Sequence, residues 1–139
     1  MSTRLKEKEE KLQRILEYLA EESAKGTPII VEGKKDVDTL RALNVQGPVI
    51  SAKTGGKALL DVLFEVENTG ARKVILLLDF DRRGKELMAK MKQHFEKTGM
   101  KFDSIFWREL SSLAGTEVKD IEGLATYMET LKKKTRNSP

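Results

Sequence analysis

The segment Lys73-Val74-Ile75-Leu76-Leu77-Leu78-Asp79 constrains this chain more than any other. Five successive aliphatic residues leave no polar face, which is the pattern of a central parallel strand covered by helices on both sides. A second apolar run, Pro28-Ile29-Ile30-Val31-Glu32-Gly33, precedes it. Both runs end in carboxylates: Glu32 in one, Asp79-Phe80-Asp81 in the other. A carboxylate at the end of a buried strand sits at the sheet edge where open α/β sheets bind ligands. Three of them point to a Mg²⁺ site, because hard divalent cations prefer oxygen ligands.

Around these runs strand and helix alternate. Residues 3–24 form an amphipathic helix: Leu12, Ile15, Leu16 and Leu19 fall at i, i+3, i+4 and i+7, with Leu5 two turns upstream. Gly26 and Pro28 end it. Strand one is expected at 28–32, followed by a helix that buries Val37, Leu40 and Leu43. Strand two is expected at 48–51. A glycine turn at Thr54-Gly55-Gly56 then opens a helix striped by Leu59, Leu60, Leu63 and Val66. Gly70 caps that helix, strand three covers 73–79, and a helix at 84–97 buries Leu87, Met88, Met91 and Phe95 before Gly99 stops it. Strand four is expected at 104–107, then a short helical or irregular piece, then a last helix near 121–133. Connections are short throughout, so no second domain or linker is visible. The order βαβαβαβ with right-handed crossovers gives a parallel sheet flanked by helices. If strands one and three are neighbours, a cleft opens between their carboxyl ends, with Glu32, Asp79 and Asp81 facing it. The division expected is an N-terminal helix at 1–25, a domain at 27–131 and a basic, disordered tail at 132–139.

Composition narrows the function classes. The 139 residues contain no cysteine, so disulfides, thiolate zinc sites and cysteine nucleophiles are excluded. No apolar run approaches the roughly 20 residues that span a bilayer. The N-terminal segment lacks the apolar core of a secretory signal, so a cytoplasmic protein with no membrane partner is expected. The net charge of +4 resides in the tail: Lys132, Lys133, Lys134 and Arg136 account for it. Position of charge is therefore more informative than its sum. Each βα loop at the expected edge carries cations: Lys34 and Lys35, then Lys53 and Lys57, then Arg82, Arg83 and Lys85. Such a ring holds a phosphate backbone. Gly33, Gly55, Gly56 and Gly84 let backbone N–H groups approach phosphate closely.

Ile-Ile-Val-Glu-Gly-Lys-Lys-Asp-Val at 29–37, followed by Leu-Leu-Leu-Asp-Phe-Asp-Arg-Arg-Gly-Lys at 76–85, resembles the Toprim domain. That domain is shared by bacterial-type primases, type IA and II topoisomerases, RecR-type repair proteins, overcoming-lysogenisation-type nucleases and the maturase of 5S rRNA. The likeness covers about residues 27–108. It is strongest to small stand-alone archaeal Toprim proteins and to the primase and rRNA-maturase branch. It implies a Toprim, Rossmann-like, four-stranded parallel sheet flanked by helices, here with an extra N-terminal amphipathic helix and a C-terminal helix.

The resemblance also implies roles. Glu32 is the general acid or base, or a carboxylate beside the metal; Asp79 and Asp81 hold Mg²⁺, with Mn²⁺ as substitute. The activity implied is Mg²⁺-dependent hydrolysis of phosphodiester bonds in RNA or DNA, with RNA processing by analogy to the maturase. The alternative is a non-catalytic nucleic-acid- or protein-binding module in a larger complex. The chain has no room for topoisomerase gate domains and lacks the zinc-binding and helicase-contacting parts of primases. Asp120 or Glu122, after strand four, is a further candidate acid, though acids at a helix start also favour its dipole. Structural readings stand beside these. Glu32 or Asp36 caps the next helix; Asp-x-Asp forms a turn; Tyr18 and Tyr127 pack; His94 lies at a boundary. The stripe Leu5–Leu19 serves either the chain's own core or a homodimer. Two other motifs fail: in a P-loop register Ser51 replaces the first glycine and Ala58 the Ser/Thr, and a dehalogenase-type Asp-x-Asp would have Thr or Val where Arg83 stands.

Overall fold

The two apolar runs become adjacent central strands. In a computed structural model, which describes residues 3–53 and 58–136, four parallel strands pair in the order β2-β1-β3-β4. They are β1 Ile29–Val31, β2 Val49–Ser51, β3 Lys73–Leu76 and β4 Lys101–Asp103. The helices among the described residues are α1 Thr3–Ala24, α2 Lys34–Ala42, α3 Leu59–Asn68, α4 Arg82–Thr98, α5 Ile105–Ala114 and α6 Ile121–Arg136. Ile29 is in register with Val49 on one side and Ile75 on the other. The order reverses between β1 and β3, which creates the expected cleft at their carboxyl ends.

Alternation along the strands divides the core in two. Ile29, Val31, Ile75 and Leu77 pack with α1, α2, α5 and α6. Ile30, Ile50, Val74, Leu76 and Leu78 pack with α3 and α4 on the opposite face. The α1 stripe is part of the first layer: Leu12 and Leu19 are fully buried against the chain's own α5 and α6. Glu22, near the end of α1, lies 2.9 Å from Lys73 at the start of β3. Lys73 holds the Glu22 carboxyl below its ordinary range. Gly26, at φ +97°, then takes a left-handed turn into β1.

Four expectations need correction. β4 lies at 101–103, not 104–107. Gly99 ends α4 in a left-handed cap at φ +80°, so the strand starts two residues later. Asp103 Oδ1 then accepts the Ile105 N–H at 2.8 Å and turns the chain into α5. Ile-Phe-Trp is therefore the first turn of a helix. On α3 the buried stripe is Val62, Leu63 and Val66, with Leu59 half-buried beside it, while Leu60 is 72% exposed, on the far side of the helix. The ladder of β3 stops at Leu76, though the Leu77 N–H still donates to Ile30 O at 2.8 Å. The basic segment begins as helix: α6 runs to Arg136, and the Thr135 hydroxyl donates to Glu9 Oε1 at 2.8 Å. No described helix is long and apolar enough to cross a membrane.

Candidate metal centre

Glu32 directly follows β1, and Asp79 lies three residues past the end of neighbouring β3. One oxygen from each of Glu32, Asp79 and Asp81 lies within 4.8 Å of the others. The three acids thus converge, as the two motifs implied. Glu32 does not cap α2. Only 5% exposed, it accepts the Asp79 N–H through Oε1 at 3.3 Å, while Oε2 lies 2.9 Å from Lys53 Nζ. Lys53 comes from the loop after β2, so three loops meet at this carboxylate. Its neighbours Glu32 and Asp79 hold the Lys53 ammonium above its ordinary range.

Asp81 does cap α4, accepting the Gly84 N–H through Oδ1 at 2.8 Å. A carboxylate has two oxygens and about four lone-pair sites, so capping and cation binding are compatible. Gly84 is required by packing: a Cβ there would collide with the Asp79 carbonyl oxygen.

A second set of acids shares Asp79. Oxygens of Asp36, Asp79 and Asp120 also lie within 4.8 Å of one another. Asp36 is buried and accepts the Gly33 N–H at 3.2 Å and the Glu122 N–H at 3.3 Å. Capping was legible for Asp36; membership in the cluster was not, because Asp120 arrives from the turn just before α6. Asp120 therefore joins the site, whereas Glu122 contributes only its backbone and leaves its side chain exposed. Crowding of buried carboxyls has the expected electrostatic effect. Burial, with Glu32, Asp36 and Asp120 adding to it, pushes Asp79 up to about 8. Burial also raises Asp36, despite the two N–H groups that favour its charge.

The cations distribute unevenly. Lys53 alone is ion-paired to the cluster among the described residues, and Arg83 is near enough to oppose its charge. Lys34, Lys35, Arg83 and Lys85 are exposed at the same edge, and Arg82 pairs with Glu86 at 3.2 Å. Lys57, Gly55 and Gly56 lie outside the described residues. Gly33 and Gly84 do not offer free N–H groups to phosphate, because Asp36 and Asp81 already accept them.

The donors are carboxylate oxygens only, a set that suits a hard divalent cation such as Mg²⁺ or Mn²⁺ over zinc. The residues present therefore fit the divalent cation.

A family model described as the Toprim domain matches residues 27–106. A UPF0292 protein of Methanosarcina barkeri is 34% identical over 126 residues, covering 91% of this chain and 86% of that protein. A UPF0292 protein of Methanocaldococcus jannaschii is 38% identical over 120 residues, covering 86% and 91% respectively. Among solved structures, a protein from Aquifex aeolicus superposes with a TM-score of 0.67 at 30% identity, covering 78% of this chain and 94% of that one.

Proposed function

This chain belongs to the Toprim family, and on that premise we propose that it hydrolyses phosphodiester bonds of nucleic acid with Mg²⁺. The observation that carries the reading is the convergence of Glu32, Asp79 and Asp81 within 4.8 Å at one sheet edge. Asp79 and Asp81 are the residues that would hold the cation, with Mn²⁺ as a substitute. When bound, it supplies charge neutralisation at the transferring phosphoryl group and polarises water. Glu32, fixed by the Asp79 N–H and by Lys53, moves the proton: it takes one from the attacking water or returns one to the leaving oxygen. Lys53 carries positive charge to the place where the phosphate must lie. Lys34, Lys35, Arg82, Arg83 and Lys85 track the strand on either side. RNA is the preferred substrate class in this reading, by likeness to the rRNA-maturase branch, and the place of action is the cytoplasm.

One observation favours a second reading, a binding module within a larger assembly. Leu60 and Phe64 are 72% and 62% exposed and stand one turn apart on α3, an apolar contact point for a protein partner or a second copy.

Labelled RNA and DNA of several structures, incubated with Mg²⁺, Mn²⁺ or chelator, separate the two. The nuclease reading expects metal-dependent products that vanish in Asp79→Ala. Binding without turnover under every condition supports the module instead. Charge reversal of Arg83 and Lys85 together is expected to flatten the salt dependence of binding by roughly one power of salt per lost phosphate contact.

A further inference from the structure

Beyond Ile75, which pairs with Asp103, the chain that leaves β3 has no strand beside it on the β4 side, because β4 stops at Asp103 and the chain turns into α5. The backbone groups around Asp79 must find other partners. Trp107, in the first turn of α5, supplies one of them. Its indole Nε1–H lies 2.9 Å from Leu78 O and 3.3 Å from Asp79 O, shared between the two carbonyls. The Phe80 ring packs against the indole, with centroids 5.9 Å apart. The two N–H groups of the same peptide units go elsewhere: Asp79 N–H to Glu32 Oε1 at 3.3 Å, and Phe80 N–H to Lys119 O at 2.6 Å. All four hydrogen-bonding groups of the peptide units flanking the Asp79 Cα are thus held, by three separate parts of the chain. Lys119 also precedes Asp120, so the same bond ties the Asp-x-Asp loop to the acid that stands just before α6.

We propose that Trp107 is the positioning residue of the carboxylate site: its shared indole N–H fixes the peptide units on both sides of Asp79 and so directs that carboxylate. The inference deepens the cation-site reading and rests on it. Groups that orient metal ligands from outside the coordination shell are worth about 10- to 100-fold in metal affinity. Trp107 acts through backbone rather than through the carboxylate itself, which places the expected effect near the lower end of that range.

Two variants separate positioning from packing. Trp107→Phe removes the donor and part of the ring. Replacement of Trp107 by 3-benzothienylalanine keeps the bicyclic shape and puts sulfur where the N–H was. Mn²⁺ affinity and the line shape of bound Mn²⁺ are read by electron paramagnetic resonance. Exchange of the Asp79 and Phe80 amides is read by NMR on the metal-free chain, with Ile75 and Leu76 as controls. Both variants are expected to bind Mn²⁺ about tenfold more weakly, with an altered line shape. In both, Asp79 and Phe80 exchange faster while the strand amides do not. Wild-type affinity, line shape and exchange in the benzothienyl variant would overturn the proposal and leave Trp107 as packing alone. Failure of the cation site shows differently: the wild type would then bind Mn²⁺ no better than Asp79→Ala. That result overturns the affinity effect, and amide exchange still decides whether the indole N–H holds the loop.

Discussion

Replacing Glu32 by Gln removes one charge from the carboxylate cluster while keeping an oxygen to accept the Asp79 N–H. The two carboxyl groups approach within 4.8 Å. At about 5 Å a unit charge acts on its neighbour with about 0.8 kcal/mol in bulk water and about 3.3 kcal/mol at an effective dielectric of about 20. Those limits correspond to about 0.6 and about 2.4 pH units. Asp79 titrates at about 8 in the native sequence, chiefly from burial and then from Glu32. In Glu32→Gln its midpoint is expected to fall to roughly 6–7, staying above an ordinary aspartate because burial, Asp36 and Asp120 remain. Carboxyl ¹³C NMR of the metal-free chain between pH 4 and 10 measures both midpoints. The sign for stability follows by linkage. Between about 4 and about 8 the folded chain keeps a proton on Asp79 that the unfolded chain has lost, so metal-free stability falls as pH rises through that window. A native Asp79 titrating near 4, or a midpoint that Glu32→Gln leaves in place, would refute the electrostatic account of the cluster.

Three further outcomes are expected. Lys53→Met leaves the buried Glu32 carboxylate without its cation and should cost about 1–3 kcal/mol in urea unfolding at pH 7. Gly84→Ala drives a Cβ into the Asp79 carbonyl, which should cost about 1–3 kcal/mol and lower Mn²⁺ affinity as the Asp-x-Asp loop shifts. Leu12→Ala, at a fully buried position under α5 and α6, should cost about 2–5 kcal/mol, whereas Leu60→Ser on the exposed face of α3 should stay within about 0.5 kcal/mol. Chemical denaturation followed by circular dichroism measures each stability change.

The parts of the fold that lie in short stretches of sequence were legible from it. A strand apolar on both faces and a carboxylate at its end are both read within a few residues, and so β1, β3, Glu32, Asp79 and Asp81 were placed. The α1 stripe was equally clear because its period is local. What escaped depends on contacts between distant segments. Ser104-Ile105-Phe106-Trp107 has the apolar run of a strand, and short runs of this kind do not distinguish strand from helix. Only the early release of the chain at Gly99 and the Asp103 turn decide for helix. The same misassignment hid Trp107, whose indole reaches Leu78 across 29 residues. Asp36 read as a cap and is one; its second role appears only when α6 docks beside α2 and the Glu122 N–H meets it across 86 residues. Lys34 and Lys35 stand two and three residues from Glu32 in sequence, yet the cation paired with it is Lys53. The pairing with Lys53 follows from the β1–β2 register, which brings the loop after β2 over the end of β1.

The most direct test of the centre is anomalous X-ray scattering from crystals soaked with Mn²⁺, recorded on either side of the manganese edge. A single strong anomalous peak within coordination distance of Asp79 and Asp81 and beside Glu32, lost in Asp79→Ala, is the expected result. A peak bound elsewhere, or clear density for these three carboxylates with no manganese among them at saturating concentration, would contradict it.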